Sequence, residues 1–263
     1  DGVQVHYSQT YVEHASGPLQ ADVYVPEGDG PFPGVVVVHG GAWRMGSRMQ
    51  LASVARMLAE RGMTAVAISY RLAPQYKFPA QIEDCKAAVR WMRAEAAQWK
   101  IDPERVGGFG YSAGAHLVSL LGTTSPDDGL EGVDDPAAHP STRLQAVAAG
   151  GTPCDFRPLP AEVDGLAFWL GGTRGELPEQ YHRASPAAFV SPDDPPFFFF
   201  HGEGDQLVPL LSPRAMCAQL AAAGVPAELY VAPKIGHIAC ALDQTSVERA
   251  VTFLAQHLGT PQP

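Results

Sequence analysis

The sequence predicts a single α/β domain, residues 1–263, built on a mostly parallel, doubly wound sheet of about eight strands. The first reason is alternation, because after residue 33 short apolar runs take turns with segments whose apolar residues recur at helical spacing. The second is the β-branched run at 34–39, which is typical of a parallel strand buried on both faces. The third is composition, since 263 residues with 46% hydrophobic and 17% charged residues can form a large core.

The elements follow from local patterns. Alternating runs at 3–7 and 20–25, divided by Ser16-Gly17-Pro18, predict an antiparallel start. Further strands are predicted at 34–39, 64–69, directly before Ser112, and at 144–150, 196–201 and 227–231. Helices are predicted at 49–61, 79–99, directly after Ser112, and at 209–223 and 245–257.

Two proline-rich segments fit neither pattern. Residues 123–141 are also rich in aspartate and glycine, which predicts a surface loop. Residues 151–195 carry only a short helical possibility around Leu166 and predict an irregular excursion over the strand ends. We expect 151–190 to form a minimal lid over an open acyl site.

Charge and hydropathy exclude several partners. A formal charge of -10 and a pI near 5.3, without clusters of lysine and arginine, argue against nucleic acid. No apolar run reaches about 18 residues, so no membrane span is predicted. A neutral small molecule is the expected partner, and no oligomeric state is indicated. Because the sequence begins at Asp1, a secreted or periplasmic protein whose signal peptide was removed is one expectation, and a cytoplasmic protein is the other.

The four cysteines lack metal-binding spacing. Cys85 and Cys217 fall in predicted helices and are expected in the core. A disulfide between Cys154 and Cys240 is conceivable in an oxidising compartment. We expect neither a metal nor an organic cofactor.

The most informative motif is Gly110-Tyr111-Ser112-Ala113-Gly114, a G-x-S-x-G pattern between a predicted strand and a predicted helix. Glycines flanking the serine permit the sharp turn that lifts its hydroxyl out of the sheet. Ser112 is therefore the candidate nucleophile. By itself the motif could be a chance match in a glycine-rich chain.

A second motif, His39-Gly40-Gly41-Ala42-Trp43, directly follows a predicted central strand. The N-H groups of Gly40 and Gly41, together with that of Ala113, could hold the oxygen that becomes negative during acyl transfer. An ordinary tight turn is the alternative. His39 is expected to stabilise the loop rather than to act as a base.

Two further strand ends supply an acid and a base. Asp205 follows the strand at 196–201, and its carboxylate could fix the tautomer of a histidine; Glu203 is the rival. His237 follows the strand at 227–231 and is the candidate base. The order Ser112, Asp205, His237 agrees with the placement of all three at strand ends.

Three aromatic residues near these motifs are candidates for the substrate pocket: Trp43, Tyr111 and Trp169. Trp43 adjoins the predicted oxyanion loop, and Trp169 lies with Phe168 in the predicted lid. Packing in the core is the alternative for both tryptophans. Tyr70 and Arg71 are expected to anchor loops.

These motifs, with Tyr70-Arg71-Leu72-Ala73-Pro74, residues 78–84 and His201-Gly202, resemble the α/β-hydrolase superfamily. The similarity is to its hormone-sensitive-lipase-like and bacterial feruloyl and acetyl-xylan esterase branch, and it covers about residues 22–258. It implies a serine carboxylesterase for short-acyl or aryl esters, with acetylated or feruloylated carbohydrate as one substrate class. Ala42 replaces a frequent glycine, and the helical N-terminal cap of many lipase-like members is not predicted.

Two alternatives remain at this level. A serine peptidase of the prolyl-oligopeptidase type would share the triad, but its relatives usually carry a propeller for which 263 residues leave no room. A non-catalytic binding protein with the hydrolase fold would be expected to lack a triad member.

Overall fold

The computed structural model describes residues 2–259, which contain an eight-stranded sheet in the order β1-β2-β4-β3-β5-β6-β7-β8. The strands are β1 Val3–His14, β2 Gly17–Pro26, β3 Phe32–Val38, β4 Thr64–Ile68, β5 Ile101–Tyr111, β6 Ala146–Gly150, β7 Phe197–Gly202 and β8 Ala227–Ala232. β2 pairs antiparallel with both β1 and β4, and every later pairing is parallel. The predicted mostly parallel sheet with an antiparallel start is confirmed.

Helices cover both faces of this sheet. They are α1 Ala52–Glu60, α2 Ala80–Ala94, α3 Ala113–Thr123, α4 Ala167–Leu170, α5 Pro178–Arg183, α6 Leu211–Ala222, α7 His237–Ala241 and α8 Gln244–Leu258. Apolar residues of α2, α3 and α6 form a first core on one face, and those of α1 and α8 form a second core on the other. Val36 of β3 points into the first core and Val35 into the second, which explains why this strand is β-branched throughout.

The disulfide considered for Cys154 and Cys240 is wrong. All four cysteines are free. Cys154 lies in the first core and Cys240 in the second, so the sheet stands between them. Cys85 is fully buried as predicted, whereas Cys217 is only partly buried at the edge of the first core.

The helices differ from the prediction chiefly after α2 and before α8. The helix predicted at 79–99 ends at Ala94, and the chain turns through a left-handed residue, Lys100, before β5 begins. A separate helix, α7, begins at His237 and was not predicted. It is divided from α8 by Asp243, whose side chain accepts a hydrogen bond from the Ser246 N-H and so begins a new helix.

The segment 151–190 contains α4 and α5 and packs against the loops at the carboxyl ends of the strands. Trp169 of α4 is fully buried in the first core. Among residues 2–259, no helix combines the length and the apolar character that crossing a bilayer would require.

Candidate active site

Ser112 occupies the turn between β5 and α3 in a strained conformation, with φ 55° and ψ -118°. Its N-H donates to the Gly150 carbonyl at 2.8 Å, which anchors the turn to β6. A Cβ on Gly110 would overlap the Gly114 backbone, and one on Gly114 would overlap Val38 of β3. The two motif glycines are therefore required by close packing around the serine.

His237 connects the serine with an acid. Its Nε2 lies 2.8 Å from Ser112 Oγ, although the two residues are 125 positions apart. Its Nδ1 lies 2.5 Å from Asp205 Oδ2. Because an ionised carboxylate can only accept, Nδ1 carries the proton and Nε2 is free to accept from the serine hydroxyl.

The Asp205 carboxylate is held from several sides. Its Oδ1 accepts the N-H groups of Leu207 and Val208, each at 2.9 Å. Its Oδ2 accepts from His237 and lies 3.3 Å from Nε2 of the buried His201. Burial alone would raise the pKa of Asp205, but the hydrogen bonds from Val208, His237 and Leu207 outweigh it and hold the pKa below its ordinary value.

Glu203, the rival acid, has a different partner. Its Oε2 accepts the Lys234 N-H at 2.9 Å, whereas the His237 ring is paired with Asp205 and Ser112. The neighbouring Gly204 N-H donates to the Ile235 carbonyl, also at 2.9 Å. These bonds join the loop after β7 to the loop after β8, so Glu203 helps hold together the two loops that carry Asp205 and His237.

The loop after β3 lies directly against the serine. A Cβ on Gly40 would lie 2.8 Å from the Tyr111 carbonyl oxygen and 3.3 Å from Ser112 Cβ. The Gly40 N-H, however, already donates to Gln50 Oε1 at 2.7 Å. The structure thus gives this predicted oxyanion donor another acceptor.

The neighbouring amides remain available. Within residues 2–259, the N-H groups of Gly41 and Ala42 have no acceptor, and Ala113, as the first residue of α3, has none within its helix. Gly41, Ala42 and Trp43 all have positive φ, of 119°, 51° and 59°. Ala42 is a further candidate donor that the sequence did not single out, because its role depends on the loop conformation rather than on the motif.

The candidate pocket residues are buried. Trp43 stacks on Trp169 with ring centroids 3.7 Å apart, and its Nε1 donates to His116 Nδ1 at 3.0 Å. Trp169 Nε1 donates to Gln81 Oε1, also at 3.0 Å. Tyr111 is 5% exposed and directs its hydroxyl to the His237 carbonyl. The two tryptophans therefore occupy core positions, and a pocket role for the three aromatic residues stays a prediction.

His39 is 1% exposed and stacks on Tyr70 with ring centroids 4.2 Å apart. Its Nδ1 lies 2.7 Å from the Gly40 carbonyl oxygen, and the Tyr70 hydroxyl donates to the His39 carbonyl at 2.8 Å. Burial lowers the pKa of His39 to about 4, so the ring is neutral near pH 7. These contacts are those of a residue that stabilises a loop.

Exposed apolar side chains surround these loops. Met45 follows the glycine pair, Leu207 follows Asp205, and Ile238 follows His237, and all three are more than half exposed. Exposed large apolar residues on loops that carry polar functional groups are typical of a surface that contacts an apolar ligand.

The fold and the hydrogen-bonded serine, histidine and aspartate define an α/β-hydrolase with a serine-centred triad. The chain belongs to the BD-FAE family, whose model matches residues 21–220. It is 31% identical over 255 residues to the probable carboxylic ester hydrolase LipM of Mycobacterium tuberculosis, a match covering 88% of this chain and 57% of that protein. The chain spans about half the length of the curated relatives it matches.

Solved structures of esterases have the same fold. A truncated carbohydrate esterase from gut microbiota superposes with a TM-score of 0.87 at 25% identity, covering 97% of this chain and 96% of that one. The butyrate-bound thermophilic esterase of Thermogutta terrifontis gives a TM-score of 0.83 at 26% identity, covering 100% and 96%. These matches confirm the predicted membership of the α/β-hydrolase serine esterases.

Proposed function

We propose that this protein is a serine carboxylesterase that hydrolyses short-acyl or aryl esters through an acyl-enzyme intermediate. The observation that carries the proposal is the continuous hydrogen-bonded path from Ser112 Oγ through the His237 ring to Asp205, with distances of 2.8 and 2.5 Å. A nucleophile, a base and a group that orients the base are the components that acyl transfer requires.

In the acylation step, Ser112 Oγ attacks the ester carbonyl carbon while its proton passes to His237 Nε2. The carbonyl oxygen becomes negative and accepts hydrogen bonds from the N-H groups of Gly41 and Ala113, with Ala42 as a third donor. As the carbonyl reforms, the bond to the alcohol breaks and His237 returns the proton to the leaving oxygen. Asp205 stabilises the imidazolium that exists between these transfers.

In the deacylation step, water takes the place of the alcohol. His237 accepts a proton from the water as its oxygen attacks the acyl carbon, and the same amides hold the new oxyanion. When the bond to Ser112 breaks, the proton on His237 passes to the serine oxygen. The carboxylic acid leaves and the starting state is restored.

Two observations support small, partly apolar esters as substrates. The exposed Met45, Leu207 and Ile238 offer apolar contacts around the site. Segment 151–190, in contrast, is anchored to the first core by the buried Trp169. We propose that this segment is a minimal lid and that the preferred acyl chains have about two to six carbons. One structural relative is a carbohydrate esterase, which supports acetylated or feruloylated carbohydrate as a substrate class, and another binds butyrate, which supports a short acyl chain.

The test uses Ser112→Ala and a fluorophosphonate probe. We expect the wild type to hydrolyse p-nitrophenyl acetate and to carry the probe on Ser112, and the variant to fold, to remain unlabelled and to lose turnover. An unlabelled, inert wild type would indicate a binding protein. Cleavage of a prolyl peptide anilide in preference to esters would indicate a peptidase.

The substrate class is tested separately. A panel of p-nitrophenyl esters of increasing acyl length should give its maximum at short chains, and a maximum at long chains would contradict the minimal lid. Comparing methyl ferulate with acetylated xylan then distinguishes the feruloyl from the acetyl alternative.

A further inference from the structure

The helix that carries the candidate base, α7, is short and buries few of its own side chains. α7 has five residues, of which only His237 and Cys240 are buried, while Ile238 is 71% exposed. Helices this short are unstable in isolation, because the first turn fixes several backbone dihedrals for a single hydrogen bond. Contacts from outside α7 must therefore fix the position of the His237 ring.

Tyr111 provides such contacts. Its hydroxyl donates to the carbonyl oxygen of His237, the first residue of α7, at 2.5 Å. Its ring centroid lies 5.3 Å from that of His237. Burial raises the pKa of the Tyr111 phenol far above its ordinary value, so the hydroxyl remains a donor at any working pH.

Tyr111 is itself held firmly. It is the last residue of β5 and pairs with Gly150 of β6, and Ser112 follows it directly. A Cβ on Gly151 would lie 2.9 Å from His237 Cε1 and 3.0 Å from the Tyr111 hydroxyl oxygen, and this glycine has φ 59°. Tyr111, Gly151 and His237 are thus in close contact, and one strand end sets the position of both the serine and the helix carrying the imidazole.

We propose that Tyr111 is a positioning residue for ester hydrolysis, whose hydroxyl holds α7 so that His237 Nε2 stays within hydrogen-bonding distance of Ser112 Oγ. The inference rests on the proposed function, since His237 acts as a base only in that mechanism. It gives Tyr111 a role different from the pocket contact that its place in the motif predicted. A nearly fully buried phenol whose hydroxyl is engaged by α7 has little surface to offer a substrate.

Tyr111→Phe removes only the hydroxyl. We expect kcat for p-nitrophenyl acetate to fall about tenfold with KM changed less than about twofold, because the base is displaced while the binding surface is kept. The rate of fluorophosphonate labelling should fall by a similar factor. Amide hydrogen exchange in residues 237–241 should accelerate, since α7 has lost an anchor.

Tyr11→Phe is the matched control. Tyr11 is also buried, and its hydroxyl donates to a backbone carbonyl, that of Ser69, at 2.6 Å, but it lies on β1. This variant loses the same type of bond and should keep kcat, labelling rate and α7 exchange at the wild-type values. Equal losses of kcat in both variants would indicate general destabilisation and overturn the positioning role.

The other outcomes are also decisive. A raised KM with unchanged kcat in Tyr111→Phe would make Tyr111 a substrate contact, and unchanged kcat with unchanged α7 exchange would remove any role in positioning. Both overturn the inference while leaving the esterase proposal intact. A wild-type protein inert to both ester and probe would overturn the proposed function, and the positioning role with it.

Discussion

The acid-base side of the candidate site differs from the oxyanion side in how completely its polar groups are paired. Asp205 accepts from two backbone amides and from His237, and both nitrogens of His237 have partners. On the opposite side, within residues 2–259, the amides of Gly41 and Ala42 have no acceptor. The acid-base side is thus paired within the protein, whereas the predicted oxyanion side has backbone donors to which a substrate oxygen can bind.

The two sides also differ in how they are supported. The acid-base side is held by hydrogen bonds between the loops after β7 and β8, including Glu203 to Lys234. On the oxyanion side, Ala42 and Trp43 have positive φ, which costs on the order of 1–3 kcal/mol for each such residue. Packing of the Trp43 ring against Trp169 and His116 stabilises that conformation.

Asp205→Asn breaks the acid-base side and should have the largest effect. An amide at this position can no longer favour the proton on Nδ1, so the His237 tautomer needed to accept from Ser112 is lost. By analogy with serine hydrolase triads, kcat for p-nitrophenyl acetate should fall about 10⁴-fold. Glu203→Gln is the control and should stay within about threefold of wild type, because its bond to Lys234 N-H can be kept. Similar losses in both variants would contradict the assignment of the acid.

Gly41→Ala breaks the oxyanion side. Its Cβ would overlap the Met45 carbonyl, so the loop must move and its donors with it; we expect kcat/KM to fall about 10²-fold or more. The control is Gly62→Ala, whose φ of 79° is also positive but whose Cβ would meet nothing within 4 Å. That variant should lose about 1–2 kcal/mol of stability and keep its activity per folded molecule. An active Gly41→Ala would show that the donors lie elsewhere.

The smallest expected effect is a change in the pH dependence of stability, and it concerns His116, which accepts a hydrogen bond from Trp43. His116 accepts from Trp43 Nε1 through Nδ1 and lies 2.7 Å from the Ala184 carbonyl oxygen through Nε2, and burial lowers its pKa from 6.5 to about 4. Between these pH values the unfolded chain binds a proton that the folded protein does not. The stability contributed by the neutral ring is therefore complete above pH 6.5 and is lost as pH falls toward 4, by roughly 3 kcal/mol at most.

The measurement is Tm as a function of pH for wild type and His116→Asn. An amide does not titrate in this range, so the Tm of the variant should fall less steeply between pH 6.5 and 4. His39, whose pKa burial also lowers to about 4, contributes equally to both curves. Parallel curves would mean that His116 is not held neutral by the fold.

The sequence was most informative about candidate functional residues that directly follow predicted strands. Ser112, Asp205 and His237 could be predicted as a group, because the carboxyl ends of parallel strands meet at one edge of a sheet. The structure brings the His237 ring within hydrogen-bonding distance of both Ser112 and Asp205. The eight-stranded sheet was predictable for a similar reason, since each buried strand has a pattern of its own.

Side-chain partners were not predictable from those patterns. The Gly40 N-H donates to Gln50 and the Tyr111 hydroxyl to His237, and neither acceptor lies in a motif with its donor. The break between α7 and α8 at Asp243 was also missed, because the helical pattern from residue 245 gives no sign of a short helix before it. Such features depend on tertiary packing, which brings together residues with no common periodicity.

The stack of Trp43 on Trp169 joins the predicted oxyanion loop to segment 151–190. We expect that replacing segment 151–190 by a longer one would shift Trp169 and, through the stacked Trp43, the backbone around Gly41. If the proposed function holds, we expect an exchange of this segment to preserve turnover only when both tryptophans are exchanged together.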